Sequence, residues 1–291
     1  MPQRLLCLVD LSPMSPAVLS WARLLAEAYR AQVEVFHAWW APKLAAAEES
    51  GQPALSFEAF GSEIEGRLNA LAQAAFSPDV KYHLRVVEGH PVQMVLQCMA
   101  QHPPDLMVLG SHGYDGYVRV MLGSVAENVL RTAPCPILIV KGAPLPREVH
   151  TLHSMLCAVD LGDFSRRCVL AAGELAKRLA SELHVVYVAA PEVPMEQARS
   201  AFSSWIPDAV RSGGGVRNVV LQGDPAERIV TYARSMQADL VALAAEHRPF
   251  LEFTTLGRTT ERAVRFSPCS VLVIPEPTSK PRFPMIEPAS A

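Results

Sequence analysis

The chain contains the same pattern twice, and no other feature restricts its fold as strongly. LLCLVDLSPMS at residues 5 to 15 returns as MLCAVDLGDFS at residues 155 to 165, aligning Cys7 with Cys157, Asp10 with Asp160 and Ser15 with Ser165 at an offset of 150. Further along, DLMVLGSHG from Asp105 matches DLVALAAEH from Asp239, and APCPILIV from Ala133 matches SPCSVLVI from Ser267, both at an offset of 134. The second copy is therefore shorter by 16 residues. Since Gly89 and Gly223 already follow the smaller offset, the loss falls between AQVEVFHAW and VKYHLRVVEG.

Each copy alternates apolar runs with amphipathic stretches. In the first, residues 4 to 9, 32 to 38, 80 to 88, 105 to 110 and 136 to 140 read as strands, several apolar enough to be covered on both faces. Helical spacing occupies AVLSWARLLAEAYR, residues 54 to 76, PVQMVLQCMAQ and GSVAENVLRT between them. In the second copy the strands fall near 154 to 159, 183 to 189, 216 to 222, 239 to 244 and 270 to 274. The alternation requires right-handed crossovers, so the expected fold is α/β: two tandem Rossmann-like domains, each a five-stranded parallel sheet flanked by helices. The expected boundaries are 1 to 142 and 152 to 275, with KGAPLPREVHTLH as linker and a proline-rich tail over 276 to 291. The apolar last strands CPILIV and CSVLVI would be hazardous as open edges, so each needs to be paired or covered.

Composition excludes other classes. A net charge of -3 over 291 residues lacks the cationic field that general nucleic-acid or membrane-surface binding requires. Nothing reaches the length of a membrane span, and Asp10 interrupts the first apolar run before signal-peptide length. The six cysteines show no C-x-x-C spacing and are expected as small buried hydrophobes in a reducing cytoplasm.

In doubly wound sheets, ligands bind beyond the carboxyl ends of the strands. Those ends carry Asp10, His37 and Ala38, and a loop GSHGYDGYVRVMLGS after the fourth strand. The loop holds Gly110 and Gly113, then nine residues, then Gly123 and Ser124 opening a helix whose N-terminus attracts phosphate. Neither G-x-x-x-x-G-K-[ST] nor G-x-G-x-x-G occurs there. The G-x2-G-x9-G-[ST] spacing followed by VAENVLRTAPCPILIVK resembles the ATP-binding branch of the universal stress protein family, as do Val9-Asp10, Phe36-His37-Ala38 and Gly89-His90-Pro91. The resemblance covers both halves, and since the last strand commonly pairs two protomers in that family, it implies that the two copies pair through theirs as an internal pseudo-dimer. It implies that Asp10 lies near the ribose or a phosphate-bound cation and that the Ala38 backbone contacts adenine. Leu109 and Gly110 would border the nucleotide, Gly113 would let the chain pass the phosphates, and Gly123, Ser124 and Val125 would offer amides. ATP with Mg²⁺ is the implied cofactor, with hydrolysis slow at most, in a cytoplasmic switch or adaptor for an unknown protein partner; a homodimer is a further possibility.

The second copy departs from this motif: Ala244 replaces Gly110, His247 replaces Gly113 and Arg258 replaces Ser124, while Gly257 is kept. One nucleotide site, in the first half, is expected. Blander readings stay open: Asp10 and Asp160 as caps of the following turn, and the glycines as turn residues. No carboxylate or cysteine set with metal spacing accompanies His37, His90 and His112, and no nucleophile elbow occurs. The Trp39-Trp40 pair and Trp205 are expected to pack under the second-helix region. A different class of function also stands, a nucleotide-free scaffold or carrier of a small apolar ligand that uses the second copy.

Overall fold

The computed structural model describes residues 2–40, 57–112, 122–211, 214–245, 247–250 and 253–276. The first copy runs β1 (Arg4–Leu8), α1 (Ser15–Tyr29), β2 (Gln32–Trp39), α2 (Phe57–Ala75), β3 (Tyr82–Glu88), α3 (Pro91–Gln101), β4 (Leu106–Gly110), α4 (Ser124–Thr132) and β5 (Ile137–Val140). The second runs β6 (Ser154–Val159), α5 (Asp163–Arg178), β7 (Glu182–Ala189), α6 (Met195–Trp205), α7 (Asp208–Arg211), β8 (Val216–Gln222), α8 (Pro225–Ser235) and β9 (Leu240–Ala245). It continues through β10 (His247–Phe250), β11 (Phe253–Leu256), α9 (Arg258–Phe266) and β12 (Ser270–Pro275). Both copies thus have the alternation that the apolar runs require.

The strands form a 10-stranded sheet in the order β3-β2-β1-β4-β5-β12-β9-β6-β7-β8. Each half is parallel within itself, and the halves meet where β5 and β12 pair antiparallel. Leu138 faces Leu272 across this seam. Those two residues are equivalents at the repeat offset, so a pseudo-twofold axis passes between them and the final strands cover each other's edges. Successive strand residues point to opposite faces. Leu5, Cys7, Leu138 and Leu272 therefore join α1, α2, α5 and α6 in one core, while Leu6, Leu8, Ile137 and Val271 join α3, α4, α8 and α9 in the other. Both cores run unbroken across the seam.

Short devices set the strand and helix ends, and both copies use them. Asp105 Oδ2 accepts from the Gln3 and Arg4 amides at 2.8 and 3.0 Å, and Asp239 Oδ2 accepts from those of His153 and Ser154 at 2.7 and 3.0 Å. The G-x-P triplets start α3 and α8. Gly89 at φ 142° and Gly223 at φ 130° turn the chain, and the proline two residues on sits in the first helical turn, where its missing N–H is not needed. An added Cβ at Gly89 would sit 2.8 Å from Met94 Sδ, which that flexible side chain would have to clear, so it is the positive φ that asks for glycine here.

The segment between the copies is tied to α1. Arg23, only 1% exposed, donates from Nη1 to Glu27 Oε2 at 2.9 Å and from Nη2 to the carbonyls of Pro146 and Val149 at 3.0 and 2.9 Å. Glu27 also meets His150 Nδ1 at 2.9 Å and accepts from Ser77 Oγ at 2.9 Å. Lys141, leaving β5, donates to the carbonyls of Arg265 and Ser267 at the end of α9, 3.0 and 3.1 Å away, a cation at a helix C-terminus.

One expectation needs correction. Trp39 packs edge-on against Phe60 at 5.2 Å and Trp205 is buried against Phe202, but Trp40 is 60% exposed beside His90 rather than packed under a helix. After β9 the second copy adds β10 and β11, which pair antiparallel with His247 opposite Leu256.

Candidate nucleotide site

The parallel register sets the site. Leu8 of β1 lies beside Phe36 of β2 and Leu109 of β4, so the residues that follow, Asp10, Ala38 and Gly110, sit at three neighbouring carboxyl ends. The chain reverses its winding direction between β1 and β4, which makes this the crevice of a doubly wound sheet. Leu109 is buried in the core, and Gly110 is half-buried. A Cβ on Gly110 would stand 3.4 Å from the His112 carbonyl and 3.5 Å from Val18 Cγ2. Among the described residues there is thus room for alanine at this position, the residue that the second copy carries as Ala244.

Asp10 is exposed, and its Oδ1 accepts from the Ser12 amide at 3.0 Å and the Ser15 hydroxyl at 3.2 Å. Asp160 repeats the arrangement, accepting from the Gly162 amide at 2.9 Å and Ser165 Oγ at 2.5 Å. The carboxylate thus braces the turn that leads into the following helix in both copies, an Asx-type turn bond plus a serine hydroxyl, while the helix N-caps themselves, Met14 and Gly162, carry no side-chain cap. Ser15 and Ser165, aligned by the repeat, are the side chains sequence reasoning left without a task. His37 Nδ1 lies 2.7 Å from the Val9 carbonyl. Burial lowers its pKa, outweighing the Val9 contact and the Asp10 charge, so the ring is neutral with its proton on Nδ1.

Beyond β4, Ser111 is buried and its Oγ meets His112 Nδ1 at 2.8 Å. The Gly123 amide donates to the Ser111 carbonyl at 2.9 Å. This bond brings the beginning of α4 back against the end of β4. It also engages one of the amides expected to face phosphate, so the helix's available N–H groups begin at Ser124 and Val125. Ser124 is exposed and Val125 half-buried. Gly113 lies outside the described residues. The free amides at the start of α4, facing the crevice at the end of β4, are chemically suited to an anionic group such as a phosphate.

The second copy builds the same place differently. Thr260 Oγ1 donates to the Ala244 carbonyl at 3.1 Å, tying α9 to the end of β9. The helix opens on an exposed Arg258 after Gly257, and the β10–β11 hairpin precedes it.

Two open sheets of parallel strands with helices on both faces, joined edge to edge by their last strands, define a tandem doubly wound α/β protein. The chain matches the model of the universal stress protein family over residues 1–141 and again over 151–275, and it belongs to that family. A universal stress protein of Mycobacterium tuberculosis is 26% identical over 270 residues, 84% of each chain. One from Mycobacterium bovis is 32% identical over 230 residues, 73% of this chain and 76% of the relative. One from Methanocaldococcus jannaschii reaches 42%, but over only 62 residues, so this chain spans 36% of it. Among solved structures, a universal stress protein from Archaeoglobus fulgidus superposes with a TM-score of 0.69 at 19% identity, covering 94% of this chain and 99% of that one. A putative universal stress protein from Pseudomonas aeruginosa gives 0.67 at 17%, covering 94% and 93%. These two share the fold. Among the described residues no helix is long and apolar enough to cross a membrane.

Proposed function

We propose that this protein binds ATP with Mg²⁺ in its first half and acts as a nucleotide-dependent switch or adaptor in stress response. The observation that carries the reading is the Gly123 to Ser111 bond, which sets the start of α4 at the end of β4, beside the strand that Asp10 follows. Phosphates would meet the Ser124 and Val125 amides and the Ser124 hydroxyl. Ala38 would border the base, and Asp10 would face the ribose or the cation. The second copy, with Arg258 at its helix start and a hairpin before it, is a structural partner without this site. His37 is neutral and tied to a carbonyl and Asp10 is engaged with its helix turn, so neither is set up as a general base, which supports a reading of slow hydrolysis at most.

Calorimetry with ATP and Mg²⁺ tests the assignment through Ser124→Glu. A carboxylate in the first turn suits the helix but repels phosphates. The expected result is one site per chain and a loss of about tenfold or more in affinity with an unchanged melt. Parent-like binding by this variant would refute the placement.

A further inference from the structure

On the α1 and α5 side of the sheet, a cavity of about 400 Å³ opens between the halves. Its floor is made of pairs that the repeat equates: Leu106 with Leu240, Leu138 with Leu272, and Leu25 with Leu175. The cavity thus lies on the pseudo-twofold axis, yet it extends to one side only. The reason is legible in the two helices. Ala171 of α5 stands where the first copy has Trp21, and Glu174 where it has Leu24. On the mirrored side Trp21 is 3% exposed, Leu24 1% and Leu179 0%, so that volume is filled by the chain's own side chains. The second copy supplies a methyl and a carboxylate instead, and the space stays open. It adjoins Asp105, before β4, at the opposite end of the first sheet from the nucleotide crevice.

We propose that this seam cavity binds a small apolar molecule with an uncharged hydroxyl head, a medium-chain alcohol in chemical class. Its volume lies within the range of small-molecule sites, about 300–1,000 Å³. The polar groups at its rim choose the head. Among the described residues Asp105 and Glu174 line it and no lysine, arginine or histidine does. Arg178 lies close by, but it pairs with Glu174 at 2.8 Å, donates to the Ala28 carbonyl at 3.0 Å and lies over the Tyr29 ring. That leaves the Asp105 charge to oppose an anionic head. Burial pushes the Tyr29 phenol up to about 12, so it remains a donor while Glu174 is an acceptor. A hydroxyl can serve both, whereas a fatty acid would bring its carboxylate against Asp105.

Calorimetry on the full chain with 1-decanol and with decanoate at pH 8 tests this, alongside Ala171→Trp, which copies the packing of Trp21. Ala171 is exposed on its helix, so the indole can enter the cavity without displacing the core. Decanol should bind at one site per chain, decanoate about tenfold more weakly or worse, and Ala171→Trp should lose decanol by a similar factor while keeping its ATP affinity. Should that variant not fold, Ala171→Leu carries the same expectation with a smaller loss. Parent-like decanol binding by the folded variant, equal binding of decanoate, or binding seen only after residues 277–291 are removed would each overturn the proposal; the last would make the chain's own tail the occupant.

Discussion

Asp10 and Asp160 offer a matched experiment inside one molecule. Each carboxylate is exposed and uses Oδ1 to hold an amide and a serine hydroxyl at the start of the next helix. Losing such exposed side-chain hydrogen bonds costs about 1 kcal/mol net, so Asp10→Ala and Asp160→Ala should each destabilise by about 1 kcal/mol, within about 0.5 of each other. If Asp10 also faces the cation or ribose, only its variant should weaken ATP, by about tenfold or about 1.4 kcal/mol. Denaturant unfolding without ligand gives the first comparison and ATP calorimetry the second. Asp160→Ala controls for a general loss of stability, and Ser15→Ala, which removes the hydroxyl that Asp10 holds but keeps the carboxylate, controls for a loosened start of α1. Equal losses of ATP affinity in Asp10→Ala and Ser15→Ala, or none in Asp10→Ala, would show that Asp10 serves only its own turn.

Three other outcomes are expected. Glu27→Ala leaves the Arg23 guanidinium buried without its counter-charge and should cost about 3–5 kcal/mol in chemical unfolding, more than Arg23→Met, which removes the charge itself. Gly89→Ala and Gly223→Ala, each at positive φ with a side chain within 3 Å of the new Cβ, should each lower stability by about 1–3 kcal/mol. Lys141 is pushed down from 10.5 to about 8 by burial. Below pH 8 it is protonated in both states. Between about 8 and 10.5 the folded state releases its proton first, so stability should rise with pH there, and Lys141→Met should remove that part of the slope in paired unfolding measurements.

Most of the architecture was readable because apolar strands buried on both faces leave uninterrupted runs, as in Leu106–Leu109 and Ile137–Val140. The repeat marked two equivalent apolar last strands that need cover, and the resemblance to the family supplied the reading that they cover each other. The β10–β11 hairpin was not readable. Each of its strands has four residues, one holds Pro249, and neither has the alternation that marks a half-buried strand. Arg23 was equally opaque, because its partners Pro146 and Val149 lie over a hundred residues away and contribute only carbonyls. At the site the positions were legible and the bonds were not. Sequence spacing brought Gly123 near phosphate, while the fold gives its amide to Ser111.

The antiparallel contact of β5 with β12 has a consequence for how the molecule behaves on dilution. Partners on separate chains meet according to how many are present, and their association weakens as they become scarce. Here both strands belong to one chain, so each always has its complement at the high local concentration a tether provides. The ten-stranded sheet should therefore persist unchanged from crowded to very dilute solution. Because the two copies differ at the loop that follows the fourth strand, every such sheet carries one glycine-bearing end and one hairpin-bearing end in a fixed ratio that no exchange of subunits can alter.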